Sequence, residues 1–152
     1  MPTAPTDRIE KQILLKAPRT RVWKALTDIQ QFQTWFTASL TGEFAPGKRA
    51  RGNVTHPGFE HVQLDITVER MEPEHFFSYR WHPFAAEPKR DYSTEPKTLV
   101  EFTLVEVAGG TRLTVVESGF SKVAADRREE TIAMHEPGWV EELQLLADFV
   151  TK

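Results

Sequence analysis

TLVEFTLVEVAGGTRLTVVE, residues 98–117, is the stretch that decides the fold. Val100, Phe102 and Leu104 recur at every second position, the period of a strand with one buried face. Ala108-Gly109-Gly110 supplies the turn, because glycine accepts the positive φ that tight hairpins need. Leu113 and Val115 then return along a second strand, which Gly119-Phe120 ends. The same period puts Glu117 on the apolar face. An unpaired carboxylate buried there is costly. Glu117 is therefore expected either to have a partner, or to lie solvated at a frayed strand end.

Working outward from the hairpin, FFSYRWH (residues 76–82) places Phe77, Tyr79 and Trp81 on one face of another strand. Val62, Leu64, Ile66 and Val68 alternate with Gln63, Asp65 and Thr67 in a strand before it, and Pro73 marks the turn between the two. Pro83–Pro96 carries three prolines and reads as a long loop, of the kind that tends to be functional or disordered. From Thr41 to Gly52 the residues Gly42, Pro46, Gly47 and Gly52 break up any helix. Ile9, Ile13 and Leu15 make a first strand, with Lys11 interrupting its apolar side. APRTRVWKALTD (residues 17–28) opens a helix at Pro18, where the missing N–H costs little. Val22, Trp23 and Leu26 follow at helical spacing. Asp28 either ends that helix or caps a second, short one carrying Ile29, Phe32 and Phe36. At the C-terminal end Trp139, Leu143, Leu146 and Val150, with Val140 and Ala147 alongside, form one apolar stripe. The polar residues 122–136 ahead of it suit a short helix or an ordered loop. Strands and helices segregated in this way predict an α+β domain, with a curved antiparallel sheet and the long helix lying across it.

The chain has 152 residues, enough for one domain with a sizeable core. Residues 1–8, polar and proline-rich, are expected to be a flexible lead into a single domain over residues 9–152. The balance of 19 basic against 22 acidic residues lacks the basic surplus of a nucleic-acid binder. GKRARG and PKR are short, separate groups that solvated loops explain. There is no cysteine, which excludes disulfides, thiol catalysis and cysteine-based zinc sites. No apolar run approaches the roughly 20 residues that span a bilayer, and no signal-peptide pattern opens the chain. A cytoplasmic protein without membrane insertion is the expectation.

APRTRVWKALTD, FQTWF, APGKRARG, FFSYRW, TLVEFTLVEVAGGTRLTVVESGF and GWVEELQLLADFV, in that order and spacing, carry a resemblance. The chain resembles the activator of heat-shock protein 90 ATPase homologue-like family of the START-like, helix-grip (SRPBCC) superfamily. That resemblance implies a bent antiparallel sheet gripping the C-terminal helix, two short helices after the first strand, and an apolar cavity between sheet and helix. It suggests Trp35, Tyr79, Trp81 and Phe102 as cavity-lining residues, and it puts the start of the last helix, with His135 and Trp139, near the cavity mouth beside Glu117. The co-chaperones of the group have a further N-terminal domain for which 152 residues leave no room, so activation of a heat-shock ATPase is not expected.

MHEPGW (residues 134–139) tests a chemical reading against a structural one. A zinc-protease helix wants a second histidine four residues after the first, and position 139 is Trp. His56, His61, His75 and His82 are scattered, so no metal is expected. The structural reading is a helix start, with Glu136 complementing the dipole, Pro137 in the first turn, and Gly138 letting the backbone approach a neighbour. The partners open to Glu117 are His135, Arg80, Arg51 or a polar group of a ligand. No G-x-S-x-G elbow or glycine-rich phosphate loop occurs, and Ser118 and Ser121 make no case for a triad.

Three functions follow. The first is a binding protein for a hydrophobic or aromatic small molecule, with Trp35, Tyr79, Trp81, Phe102, Glu117, His135 and Trp139 at the ligand and no cofactor. The second is a cyclase- or hydrolase-like enzyme, with His135 as general base or Glu117, its pKa raised, as general acid. The third is a chaperone-linked interaction module. Free sheet edges pair readily, which leaves room for a homodimer.

Overall fold

A computed structural model of the chain describes residues 8–58, 60, 62–82, 97–122 and 125–151. The predicted loop at 83–96, His61 and residues 1–7 lie outside the described residues. The strands are β1 (Arg8–Leu15), β2 (Ala38–Gly42), β3 (Arg49–Val54), β4 (Gln63–Glu72), β5 (Phe76–Trp81), β6 (Thr98–Val107) and β7 (Gly110–Ser118). The helices are α1 (Arg19–Thr27), α2 (Ile29–Phe36) and α3 (Ala125–Val150), with a 3₁₀ turn at Phe120–Lys122 before α3. The strands form one antiparallel sheet in the order β1-β7-β6-β5-β4-β3-β2. The first strand thus returns to pair with the last, Ile9 opposite Glu117.

The hairpin forms as its alternation predicts, with Val107 opposite Gly110 and Val100 opposite Glu117. Gly110 has φ +154°, and a Cβ there would lie 2.0 Å from the Leu15 carbonyl oxygen, so only glycine lets β1 end against the turn. The inward positions Phe77, Tyr79, Val100, Phe102, Leu104, Leu113 and Val115 are all buried. They meet the buried faces of α1 (Val22, Ala25, Leu26), α2 (Phe32, Trp35, Phe36) and α3 (Trp139, Leu143, Leu146, Val150). Aromatic rings dominate this core, with Phe77 stacked on Phe102 at 6.2 Å and Phe32 on Phe36 at 4.8 Å. Val140, placed beside the stripe by its spacing, is 55% exposed.

Asp28 performs both of its candidate roles. Its backbone N–H donates to the Lys24 carbonyl at 2.9 Å, closing α1, and its Oδ1 accepts from the Gln30 N–H at 2.9 Å, capping α2. Arg80 faces Glu69, and Arg51 stands opposite Asp65 on the neighbouring strand, so neither is the partner of Glu117.

Where glycine and proline break up any helix, the chain forms the strand pair β2 and β3. Gly52 marks a close approach of chains, since a Cβ there would sit 1.7 Å from the Ser39 carbonyl oxygen. MHEPGW is not a helix start. α3 begins at Ala125, and Pro137 lies inside it. Having no N–H, Pro137 cannot donate to the carbonyl four residues back. The polar first half of α3 hides its helical period, which is why the proline reads as a boundary.

Candidate functional site

β7, β6, β5 and α3 converge on one carboxylate. Glu117 is fully buried, and each of its oxygens takes two hydrogen bonds. Oε2 accepts from the Thr98 hydroxyl at 2.6 Å and from the Trp81 indole N–H at 2.8 Å. Oε1 accepts from the Trp139 indole N–H at 2.9 Å and lies 2.7 Å from His135 Nδ1. The strand period aims Thr98, Trp81 and Glu117 inward, and Trp139 stands one helical turn beyond His135 on α3. Burial pushes the Glu117 carboxyl up, but the His135 charge together with the hydrogen bonds of His135, Thr98 and Trp81 outweighs it and holds the group below its ordinary 4.5. An ionised carboxylate only accepts, so His135 Nδ1 carries the proton facing it. Glu117 is thus neither solvated nor frayed, and its carboxyl is held down rather than raised.

His135 is one-eighth exposed at its side chain. Its ring stands edge-on to Trp81 at 6.1 Å and to Phe120 at 5.9 Å. The indoles of Trp81 and Trp139 stack at 5.8 Å with their planes 28° apart. Glu117 therefore fixes three rings at once.

Those rings form the inner wall of a cavity of about 660 Å³ between α3 and the β3–β5 side of the sheet. Phe36, Val54, Leu64, Trp81, Trp139 and Leu145 give it a largely apolar lining, and Gly138 and Glu142 belong to the α3 side. Met134 and Leu145 line it while staying 45% and 39% exposed, leaving an apolar rim. Gly138 does not bring two backbones together, as its sequence context suggests. A Cβ there would meet nothing within 4 Å, so the missing side chain leaves space in the cavity.

Glu142 is the second unusual carboxyl. Its Oε1 is buried without a hydrogen-bond partner. Burial first, and then the neighbouring Glu141 carboxylate, push its pKa up to about 8.

Of the residues expected at a ligand, Trp81, His135 and Trp139 line the cavity, and Glu117 lies directly behind them. Trp35, Tyr79 and Phe102 do not line it. Trp35 donates its indole N–H to the Ala25 carbonyl at 2.7 Å, tying α2 to α1. Tyr79 is packed among Phe77, Trp81 and Phe102. Its buried hydroxyl has no partner, and burial together with the Glu117 and Glu142 charges raises its pKa well above 10. Val54, His56, Leu64, His82, Gly138 and Glu142 are wall residues that sequence reasoning missed. The one signal for Glu142 was its place one residue ahead of Leu143 on the apolar stripe. Among the described residues, no three His, Asp or Glu side chains converge as a metal site, and no helix is long and apolar enough to cross a membrane.

The family model described as Activator of Hsp90 ATPase homolog 1-like protein matches residues 16–151. No curated protein matches the chain. Among solved structures, protein MLL2253 of Mesorhizobium loti superposes with a TM-score of 0.74 at 23% identity, over 95% of this chain and 96% of that one. DynU16, from the dynemicin biosynthetic locus, gives 0.76 at 25% identity over 97% of this chain and 48% of its own, so the chain spans about half of DynU16. The Aha1 dimer of Colwellia psychrerythraea, solved in solution, gives 0.70 at 18% identity over 94% and 95%. At such identities the first and third likenesses establish the fold, a sheet gripping a C-terminal helix.

Proposed function

We propose that this chain, which belongs to the Activator of Hsp90 ATPase homolog 1-like family, is a binding protein for an apolar or aromatic small molecule held between α3 and the sheet. The observation that carries the proposal is the cavity itself. At about 660 Å³ it falls within the range of roughly 300–1,000 Å³ typical of small-molecule sites. Its inner wall is a pair of stacked indoles whose N–H groups are already satisfied by Glu117. A wall with spent polar groups offers ring faces and apolar edges, and so favours a flat apolar guest.

The test is native mass spectrometry of protein purified from its own host, followed by extraction, with Gly138→Phe alongside. A Cβ at Gly138 meets nothing within 4 Å, so the new side chain starts out into open space. We expect a stoichiometric apolar compound on the natural protein and none on the variant. The same compound on both would place the ligand elsewhere and contradict the proposal.

A second reading has one observation in its favour. Glu117 holds the Nδ1–H of His135 in a fixed orientation at 2.7 Å, the relation that aligns a general base. His135, at the cavity wall, would take a proton from a bound ketone or ester, while Glu117 positions the ring. Turnover of such a substrate by the natural protein, lost in His135→Gln with binding retained, would support this reading. Equal turnover in the two proteins would exclude it.

A further inference from the structure

Building on the ligand-binding reading above, we infer that the cavity selects an apolar compound carrying a basic nitrogen over one carrying a carboxylate. Among the described residues that line it there is no Lys and no Arg, whereas Glu141 and Glu142 both do. The other titratable groups on the wall are the imidazoles of His135 on α3, of His56 beyond β3 and of His82 beyond β5. His135 already turns its Nδ1 to Glu117, and a charge on its ring is matched by the buried carboxylate behind it. The fixed charge around the cavity is therefore acidic on balance.

Glu142 gives this field a point of contact. Its Oε1 is buried and lacks any hydrogen-bond donor, an arrangement that costs free energy until a donor arrives. An ammonium brings both a donor and the charge that favours ionisation. A carboxylate brings no ammonium donor or positive charge, and would lie against the Glu141 carboxylate, a charge of its own sign. The stacked faces of Trp81 and Trp139 act in the same sense, because ring quadrupoles attract cations. Glu142 binds a proton near neutrality, so capture of an ammonium releases that proton, and affinity for an amine rises as pH climbs toward the Glu142 value.

Three probes of one shape separate the possibilities: naphthylmethylamine, naphthalenemethanol and naphthoate, titrated calorimetrically into the protein near neutral pH. We expect the amine to bind about ten- to a hundredfold more tightly than the alcohol, the gain for a hydrogen bond to a charged group, with naphthoate weakest. Glu142→Gln should bring the amine down to the level of the alcohol. That variant removes an ionisable group without volume, so it is expected to fold. Naphthoate binding as tightly as the amine, or an amine affinity unmoved by Glu142→Gln, overturns the inference while leaving the ligand-binding reading intact. If none of the three probes binds, the ligand-binding reading fails and takes this inference with it.

Discussion

Glu142→Gln should make the protein more resistant to alkaline conditions. In the natural chain the carboxyl ionises at 4.5 when unfolded and at about 8 when folded. The folded state therefore binds the extra proton between these two values, and stability falls as pH rises across that window. The slope is about 1.4 kcal/mol per pH unit for one proton. Over the whole window this amounts to several kcal/mol, at most about 5 kcal/mol. The loss is complete above the folded value and absent below 4.5. Glutamine keeps the shape and removes the titration. Urea unfolding of both proteins between about pH 5 and pH 9 measures the effect. The two curves should lie close together at the acid end and separate toward the alkaline end, with the variant the more stable. A difference that stays constant with pH would refute the reasoning, because a change in packing or hydrogen bonding alone carries no such slope.

Three further outcomes follow from the packing. Glu117→Ala strands the donors of Trp81, Trp139, Thr98 and His135 in the interior; each unpaired group costs about 1–3 kcal/mol, so chemical denaturation should show severe destabilisation or loss of the fold, and near-natural stability would contradict the account. Because the folded Glu117 is held below its ordinary value, its contribution is fully present above about pH 4.5 and is lost as acid titrates the folded group; an acid unfolding curve should show this loss shifted in a variant lacking His135. Phe102→Ala removes a fully buried ring stacked on Phe77 and should cost about 3–5 kcal/mol in urea.

The two ends of the chain differ in how plainly they could be read. β6 and β7 were legible because an apolar residue at every second position and a glycine turn admit one reading. Glu117 stood out for the same reason, as a charge where the period calls for an apolar residue. β2 and β3 were not legible, because the glycine that lets two chains approach at Gly52 looks in sequence like a loop. The first half of α3 was hidden by its run of charged residues, and Pro137 supplied a false boundary. The partners of Glu117 come from β5, β6 and α3, which only the fold brings together. Of them, sequence reasoning offered His135; the indoles of Trp81 and Trp139 were expected at a ligand, not as donors to Glu117. The cavity rests on an absence, the missing side chain of Gly138, and on Glu142, whose meaning depends on what fails to reach it.

The most direct measurement is a titration of intrinsic tryptophan fluorescence with a neutral apolar probe, since Trp81 and Trp139 form the inner wall of the cavity. The natural protein should show a saturable change at one equivalent. Gly138→Phe, with an unchanged circular dichroism spectrum, should show none. An equal response in the two proteins, or no saturable response in the natural one, would contradict the claim that this cavity holds a ligand.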